Sequence, residues 1–137
     1  MQTPVLQALV LADWIYTDES GKRIICGTFS KIYSLEFPAS FGRPTWAFIL
    51  LTDVLGNVVL QLRFVSLSDN QILLESAPVE LESPDKLEPI DIAMQIPPFP
   101  LPHEGAYAFE CFANQTMIGS VRLQVIKAQK PGDHQND

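Results

Sequence analysis

The chain has 137 residues, enough for one domain that buries roughly two-thirds of its unfolded surface. With 47% hydrophobic and 18% charged residues it is globular and not disordered. Its net charge of −7, with nine scattered Lys and Arg, excludes a basic face for a nucleic-acid backbone or an anionic membrane surface.

The first element is VLQALVLADWIY, residues 5–16. Leu6, Leu9, Val10 and Asp13 also fit a helical period, but the β-branched and aromatic end and the Gly21 turn that follows select a strand. The return through RIICG makes a hairpin. Asp13 sits between Ala12 and Trp14 in an apolar stretch, and a buried carboxylate without a partner is costly, so it is expected to pair with Lys22 or Arg23 across that hairpin. TWAFILLT, residues 45–52, is apolar on both faces and predicts a central strand covered on both sides. After the turn at Gly56-Asn57, NVVLQLRFVS is the clearest strand: Val58, Leu60, Leu62 and Phe64 point one way, Gln61 and Arg63 the other. Turn residues Asp69-Asn70 follow. Ile90, Ile92, Met94 and Ile96 repeat the alternation, opposed by Asp91 and Gln95. Tyr107, Phe109 and Cys111 do so again and, after a turn at Asn114, so do Val121, Leu123 and Val125, opposed by Arg122 and Gln124.

Short strands joined by short links predict an all-β fold: a single antiparallel β-sandwich of roughly eight strands, immunoglobulin-like in general architecture. It is expected to occupy residues 1–127, with a polar, frayed tail over 128–137. The predicted core is Trp46, Phe48, Val58, Leu60, Leu62, Phe64, Ile92, Phe109, Val121 and Leu123. No apolar run approaches the roughly 20 residues that span a bilayer. MQTPVLQALVLADW has no positive n-region and an apolar stretch broken by Gln7, so no signal peptide is expected and a cytoplasmic location follows.

The stretch LVLADWIYTDESGKRIICGTFSKIYSLEFP resembles the opening of a family of small uncharacterised bacterial proteins, a domain of unknown function. The shared features are an apolar strand ending near Asp13, the Gly21-Lys22 turn, Gly27 and Phe29, the Phe37-Pro38 pair, and later Gly105, Tyr107 and Phe109. These are turn and core signals. The resemblance implies a β-sandwich and a bacterial source, and it implies no activity. Cys26, Trp46 and Cys111 also run in the order of the immunoglobulin Cys, Trp and Cys. The spacing from Cys26 to Trp46 is long for that pattern, however, and Tyr107 lies four residues before Cys111 instead of two. With a reducing compartment, the two cysteines are expected as buried free thiols.

Residues for covalent or metal chemistry are sparse. The histidines are His103, in a proline-rich connection, and His134, in the tail. The one Cys–His pairing available is Cys111 with His103, and Cys111 points inward. There is no G-x-S-x-G, no H-E-x-x-H and no Cys or His pair at zinc spacing. No catalytic residue, metal or cofactor is therefore predicted. Asp13, Asp18, Glu19, Asp53, Glu82 and Asp85 fall near strand ends, where calcium can bind in sandwich domains. An acidic chain also places carboxylates there by default.

The connection IPPFPLPHEG contains Pro97-Pro98-Phe99-Pro100. Pinned between two strands, it reads as a rigid connector more than as an offered polyproline ligand. If successive strands alternate in direction, the short turns at Asp18–Gly21, Leu55–Asn57, Ser83–Asp85 and Asn114–Gln115 share one end of the sandwich. The other end receives FPASFGRP, SLSDN and PPFPLPHEG, and with them Phe41, Arg43, Phe99, His103 and Glu104. Loops on a rigid sheet and a mix of aromatics with Arg suit an interface, so these five are the predicted binding residues. The competing reading is that Phe41 and Phe99 plug the open end of the core. The expected function is a non-enzymatic protein-binding or scaffolding module with a protein partner, neither nucleic acid nor membrane, and with homodimerisation through an edge strand. The alternative is a small-ligand or calcium carrier, or an enzyme, with its site in a sandwich-end cleft. Titration of thiols in denaturant without reductant should find both of the chain's two cysteines free; a value near zero would overturn the assignment to a reducing compartment.

Overall fold

The computed structural model describes residues 3–129. Twelve strands form among them: β1 (Val5–Thr17), β2 (Arg23–Thr28), β3 (Lys31–Ser34), β4 (Ala39–Phe41), β5 (Thr45–Thr52), β6 (Gly56–Ser66), β7 (Gln71–Glu75), β8 (Val79–Ser83), β9 (Ile90–Ile96), β10 (Phe99–Leu101), β11 (Gly105–Ala113) and β12 (Thr116–Lys127). One sheet has the order β2-β1-β5-β9; the second has β3-β12-β11-β6-β7, with β8 also on β6; β4 and β10 form a two-stranded ribbon. The fold is all-β, as the alternation predicts. The strand count of roughly eight is corrected to twelve, because β3, β4, β7, β8 and β10 are five residues or shorter and give little period to read. The arrangement is not wholly antiparallel either, since β3 pairs with β12 in parallel. Most of the tail expected to fray, residues 130–137, lies outside the described residues.

The core lies between the two large sheets. From the second sheet Val58, Leu60, Leu62 and Phe64 of β6 and Tyr107, Phe109 and Cys111 of β11 are buried. They face Leu11 of β1, Ala47, Ile49 and Leu51 of β5, and Met94 and Ile96 of β9, also buried. Gly119 lets the sheets close up, because a Cβ there would strike the side chain of Leu6.

Four of the ten predicted core residues are half-buried: Trp46, Phe48, Ile92 and Val121. For β5 the reason is parity. Thr45, Ala47, Ile49 and Leu51 take the inner face, which puts Trp46, Phe48 and Leu50 on the outer one. A run apolar on both faces carries no signal for which side is inward.

The outer face of that sheet is covered by its own hairpin. Arg23, opposite Thr17 at the far end of the hairpin, lies 3.4 Å from the Asp91 carboxylate. Asp91 sits opposite Leu50, and Leu50 opposite Ala8. Nine residues separate Ala8 from Thr17, roughly 30 Å in a straight strand and beyond the reach of a side chain. The hairpin must therefore bend and return across the outer face, since the other sheet occupies the inner one. The bend falls where β1 leaves β5, at Ala12, and there Asp13 faces Gly27. Gly27 has φ 74°, and an added Cβ would lie 2.6 Å from Asp13 Oδ2, so both conformation and space demand glycine. The expected pairing of Asp13 with Lys22 or Arg23 is thus corrected: Asp13 is exposed, and Arg23 is engaged by Asp91.

Two measurements check this core. Leu62→Ala should cost about 2–5 kcal/mol in chemical denaturation by opening a cavity, and a loss below about half a kcal/mol would contradict its burial. Burial also pushes the Cys111 thiol from 9.0 up to about 11. The unfolded chain then loses this proton first as pH rises, so stability present below pH 9 is lost between pH 9 and about 11. Cys111→Ala should flatten that decline relative to wild type; identical slopes would contradict the shift.

Candidate functional site

The proline-rich connection is more than a connector. Its middle, β10, pairs antiparallel with β4: Phe99 lies opposite Phe41, Pro100 opposite Ser40 and Leu101 opposite Ala39. A ribbon of this size tolerates proline because each strand needs bonds on one side alone. The ribbon closes the end of the sandwich where β5, β11 and the β6–β7 turn meet. Phe99, 1% exposed, is the stopper. Its ring lies 4.5 Å from Phe64, 5.2 Å from Phe41 and 5.4 Å edge-on from Phe109. It cannot touch a partner directly. Phe41 is half-buried, resting on Phe99 and 6.2 Å from Phe29.

The ribbon also separates residues that the sequence grouped. Continuing its antiparallel register puts residue 43 beside 97 at one end and residue 37 beside 103 at the other. Phe41 and Phe99 come together; Arg43 and His103 are drawn apart. Arg43 is exposed and makes no ion pair among the described residues. It lines an open recess of about 340 Å³ with Gly42, Pro44, Gln95, Ile96, Pro97 and Pro98. Three of those walls are proline, whose fixed φ holds the recess open without an ordering cost on binding.

His103 and Glu104 are tied by local hydrogen bonds instead. The Tyr107 hydroxyl donates to the His103 carbonyl at 2.5 Å, tying the start of β11 to the corner before it. This is the tyrosine corner of immunoglobulin-like sandwiches, present although Tyr107 is displaced in sequence from the usual position. The Glu104 carboxylate accepts the Lys127 N–H at 3.2 Å. His103 Nε2 lies 3.5 Å from Ser66 Oγ and 3.8 Å from Asp69 Oδ2. The residue types are those of a hydrolytic triad, but the geometry is not. Ser66 and Asp69 address the same nitrogen, whereas a relay needs one on each, and Ser66 is fully buried. The Asp69 carboxyl is held below its ordinary value, first by the Ser66 hydroxyl, then by the Gln71 N–H and by His103.

Sequence reasoning passed over the strongest exposed surface. Trp14 and Tyr16 of β1, opposite Cys26 and Ile24 of β2, form one face of the folded-back hairpin. Trp14, Tyr16 and Ile24 are all exposed. Trp14 lies 6.2 Å from Tyr16 and 5.3 Å from Trp46, and Trp46 is opposite Gln95 in the recess wall. Arg43, the recess and the aromatic row thus adjoin. The signal is present as Trp14 and Tyr16 alternating with Ile15, but nothing local marks the bend that turns this pair outward. The Leu55–Asn57, Ser83–Asp85 and Asn114–Gln115 turns do share one end. β1 runs away from that end as far as Ala12, and the bend at Asp13 then carries the Asp18–Gly21 turn back toward it, beside Asp91.

Trp46, on the outer face, is not packed against a disulfide as in an antibody domain, and Cys26 and Cys111 are free thiols. Among the described residues no three His, Cys, Asp or Glu side chains converge to hold a metal ion. No helix among them is long and apolar enough to cross a membrane.

Among solved structures, the chain is similar to the alkylpurine DNA glycosylase AlkC of Pseudomonas fluorescens, bound to DNA containing an abasic site analog. The TM-score is 0.53 at 9% identity, covering 90% of this chain and 30% of that one. The chain therefore spans less than a third of the glycosylase, and the comparison speaks to fold. An immunoglobulin-like protein from Pseudomonas aeruginosa aligns with a TM-score of 0.44 at 12% identity, over 90% of this chain and 97% of that one. No curated protein matches the sequence. Residues 7–126 match the family model described as a family of unknown function, DUF6941, and the chain belongs to that family.

Proposed function

We propose that this domain is a non-enzymatic, cytoplasmic protein-binding module, and that a partner segment docks across the ribbon end from Arg43 to the Trp14–Tyr16 face. The observation that carries this reading is the continuity of a proline-walled recess with a row of exposed aromatics. Trp, Tyr and Arg are the residues that dominate interface energetics, and here they border a surface held by rigid strands. Phe41 and Phe99 support the recess from behind, while His103 and Glu104 hold the other end of the ribbon through Tyr107 and Lys127.

The glycosylase resembled in fold was seen with DNA. Nine Lys and Arg against sixteen Asp and Glu argue against that role here. The free edge of β9 beside the recess favours one particular mode, addition of a partner strand, and a second copy pairing there would give a homodimer.

The test is capture of partners from the source cell with wild type and a Trp14→Ala/Arg43→Ala double variant. Both side chains are at the surface, so folding should be kept, as checked by thermal unfolding. The variant should lose the principal partner; retention of every partner by a folded variant would sink the proposal.

A further inference from the structure

The opposite end of the sandwich has a different character. Leu55 and Leu87 are 58% and 78% exposed. The Asp53 N–H donates to the Lys86 carbonyl at 3.0 Å and Gly56 pairs with Ser83, so the two connections that carry these leucines run side by side. A recess of about 450 Å³ opens there, lined by Leu55, Gly56, Glu82, Ser83 and Pro84. A second, of about 460 Å³, follows along β6 at Val59, Gln61, Pro78, Asn114 and Gln115. Val59, itself exposed, is four residues from Leu55, roughly 13 Å along a strand. Glu82, opposite Asn57, borders the first recess and Glu80, opposite Val59, stands beside the second, and both are exposed.

The charges around this apolar surface say what kind of segment fits it. Asp53, Glu80, Glu82, Asp85 and Glu88 make no ion pair among the described residues. Against them stands Lys86, which leaves four of the chain's seven net negative charges at this end. Carboxylates at this density repel one another, and a cationic partner relieves that repulsion while its apolar side chains cover Leu55, Leu87 and Val59. A neutral or acidic partner would gain the apolar contact and lose on charge.

We propose that this end is a second docking surface, independent of the ribbon end, and that its occupant is a basic amphipathic segment of another protein. Leucine-type anchors enter the two recesses and Lys or Arg face Glu80, Glu82 and Asp85. Anchors roughly 13 Å apart fall about two turns apart on a helix, so an amphipathic helix presents them on one face.

The probe is a fluorescent, helical Leu/Lys peptide, with a Leu/Glu peptide of the same pattern as its counterpart, read by anisotropy at low and high salt. The Leu/Lys peptide should bind wild type, more weakly as salt rises, and the Leu/Glu peptide should not bind. Leu55→Ser/Leu87→Ser leaves the charge unchanged and should weaken binding at least tenfold. Glu80→Lys/Glu82→Lys should do the same. Leu35→Lys/Glu36→Lys/Ser40→Lys makes an equal change of charge at the exposed ribbon end and should leave affinity within about twofold. Wild-type affinity in the Leu55→Ser/Leu87→Ser variant, or equal losses in the two charge variants, would show attraction by bulk charge alone and overturn the proposal. Circular dichroism confirms that each variant is folded.

Discussion

The contact on which this molecule is organised is the packing of Phe99 against Phe64 and Phe109. A sandwich of two sheets is open at its ends, and an open end wets the core. Here the end is sealed by a side chain from outside both sheets, carried on a ribbon of six residues in two strands. Around Phe99 the rings meet at tilted and edge-on angles, with centroids 4.5 to 5.4 Å apart, the geometry that aromatic quadrupoles favour. The ribbon's remaining residues are then fixed by what Phe99 holds. Pro97 and Pro98 stand on one side with Arg43, and His103 on the other with Tyr107. The recess and the tyrosine corner are two sides of one closure.

The second organising feature is the bend at Asp13 and Gly27. It converts a hairpin that would project into solvent into a cover for the outer face of β5. Ala12 becomes fully buried and Trp46 half-buried by it, and the Arg23–Asp91 pair fastens the far end. Both partners of that pair are partly exposed, so it gives register more than stability. The apolar outer face thus acquires a lid from its own chain, and the aromatic side chains unsuited to the inside of that lid are left displayed on its upper surface.

Much of the fold was legible in the sequence. The alternation in β6, β9, β11 and β12 put the correct residues inward, and the glycine and asparagine turns marked the boundaries between strands. What could not be read was set by distance along the chain. The parity of β5 depends on which sheet covers it, and no local pattern encodes that. β4 and β10 are three residues each and become strands because they find one another across nearly sixty positions. The candidate site suffered for the same reason. Phe41 and Phe99 were correctly placed together because both flank proline-rich connections. Arg43 and His103 were grouped with them by belonging to the same loops, although antiparallel pairing of those loops sends them apart. The Trp14 face was missed because a bend reverses the direction in which a hairpin points, and the residues at the bend, Asp13 and Gly27, look individually like an ion-pair partner and an ordinary turn glycine.

The parallel pairing of β3 with β12 carries a consequence for how the chain is made. Lys31 lies opposite Gln124, so β3 is made about ninety residues before the strand it pairs with. β12 also supplies the neighbour of β11, and its Lys127 N–H is the donor to Glu104. Until this strand has left the ribosome, β3 has no neighbour and the second sheet is confined to β11, β6, β7 and β8. Loop closure over such a separation is slow, and nascent β-proteins of this kind carry exposed edges while they wait. Completion of the second sheet is in this sense deferred until β12 has been made, and the earlier strands keep open edges until then.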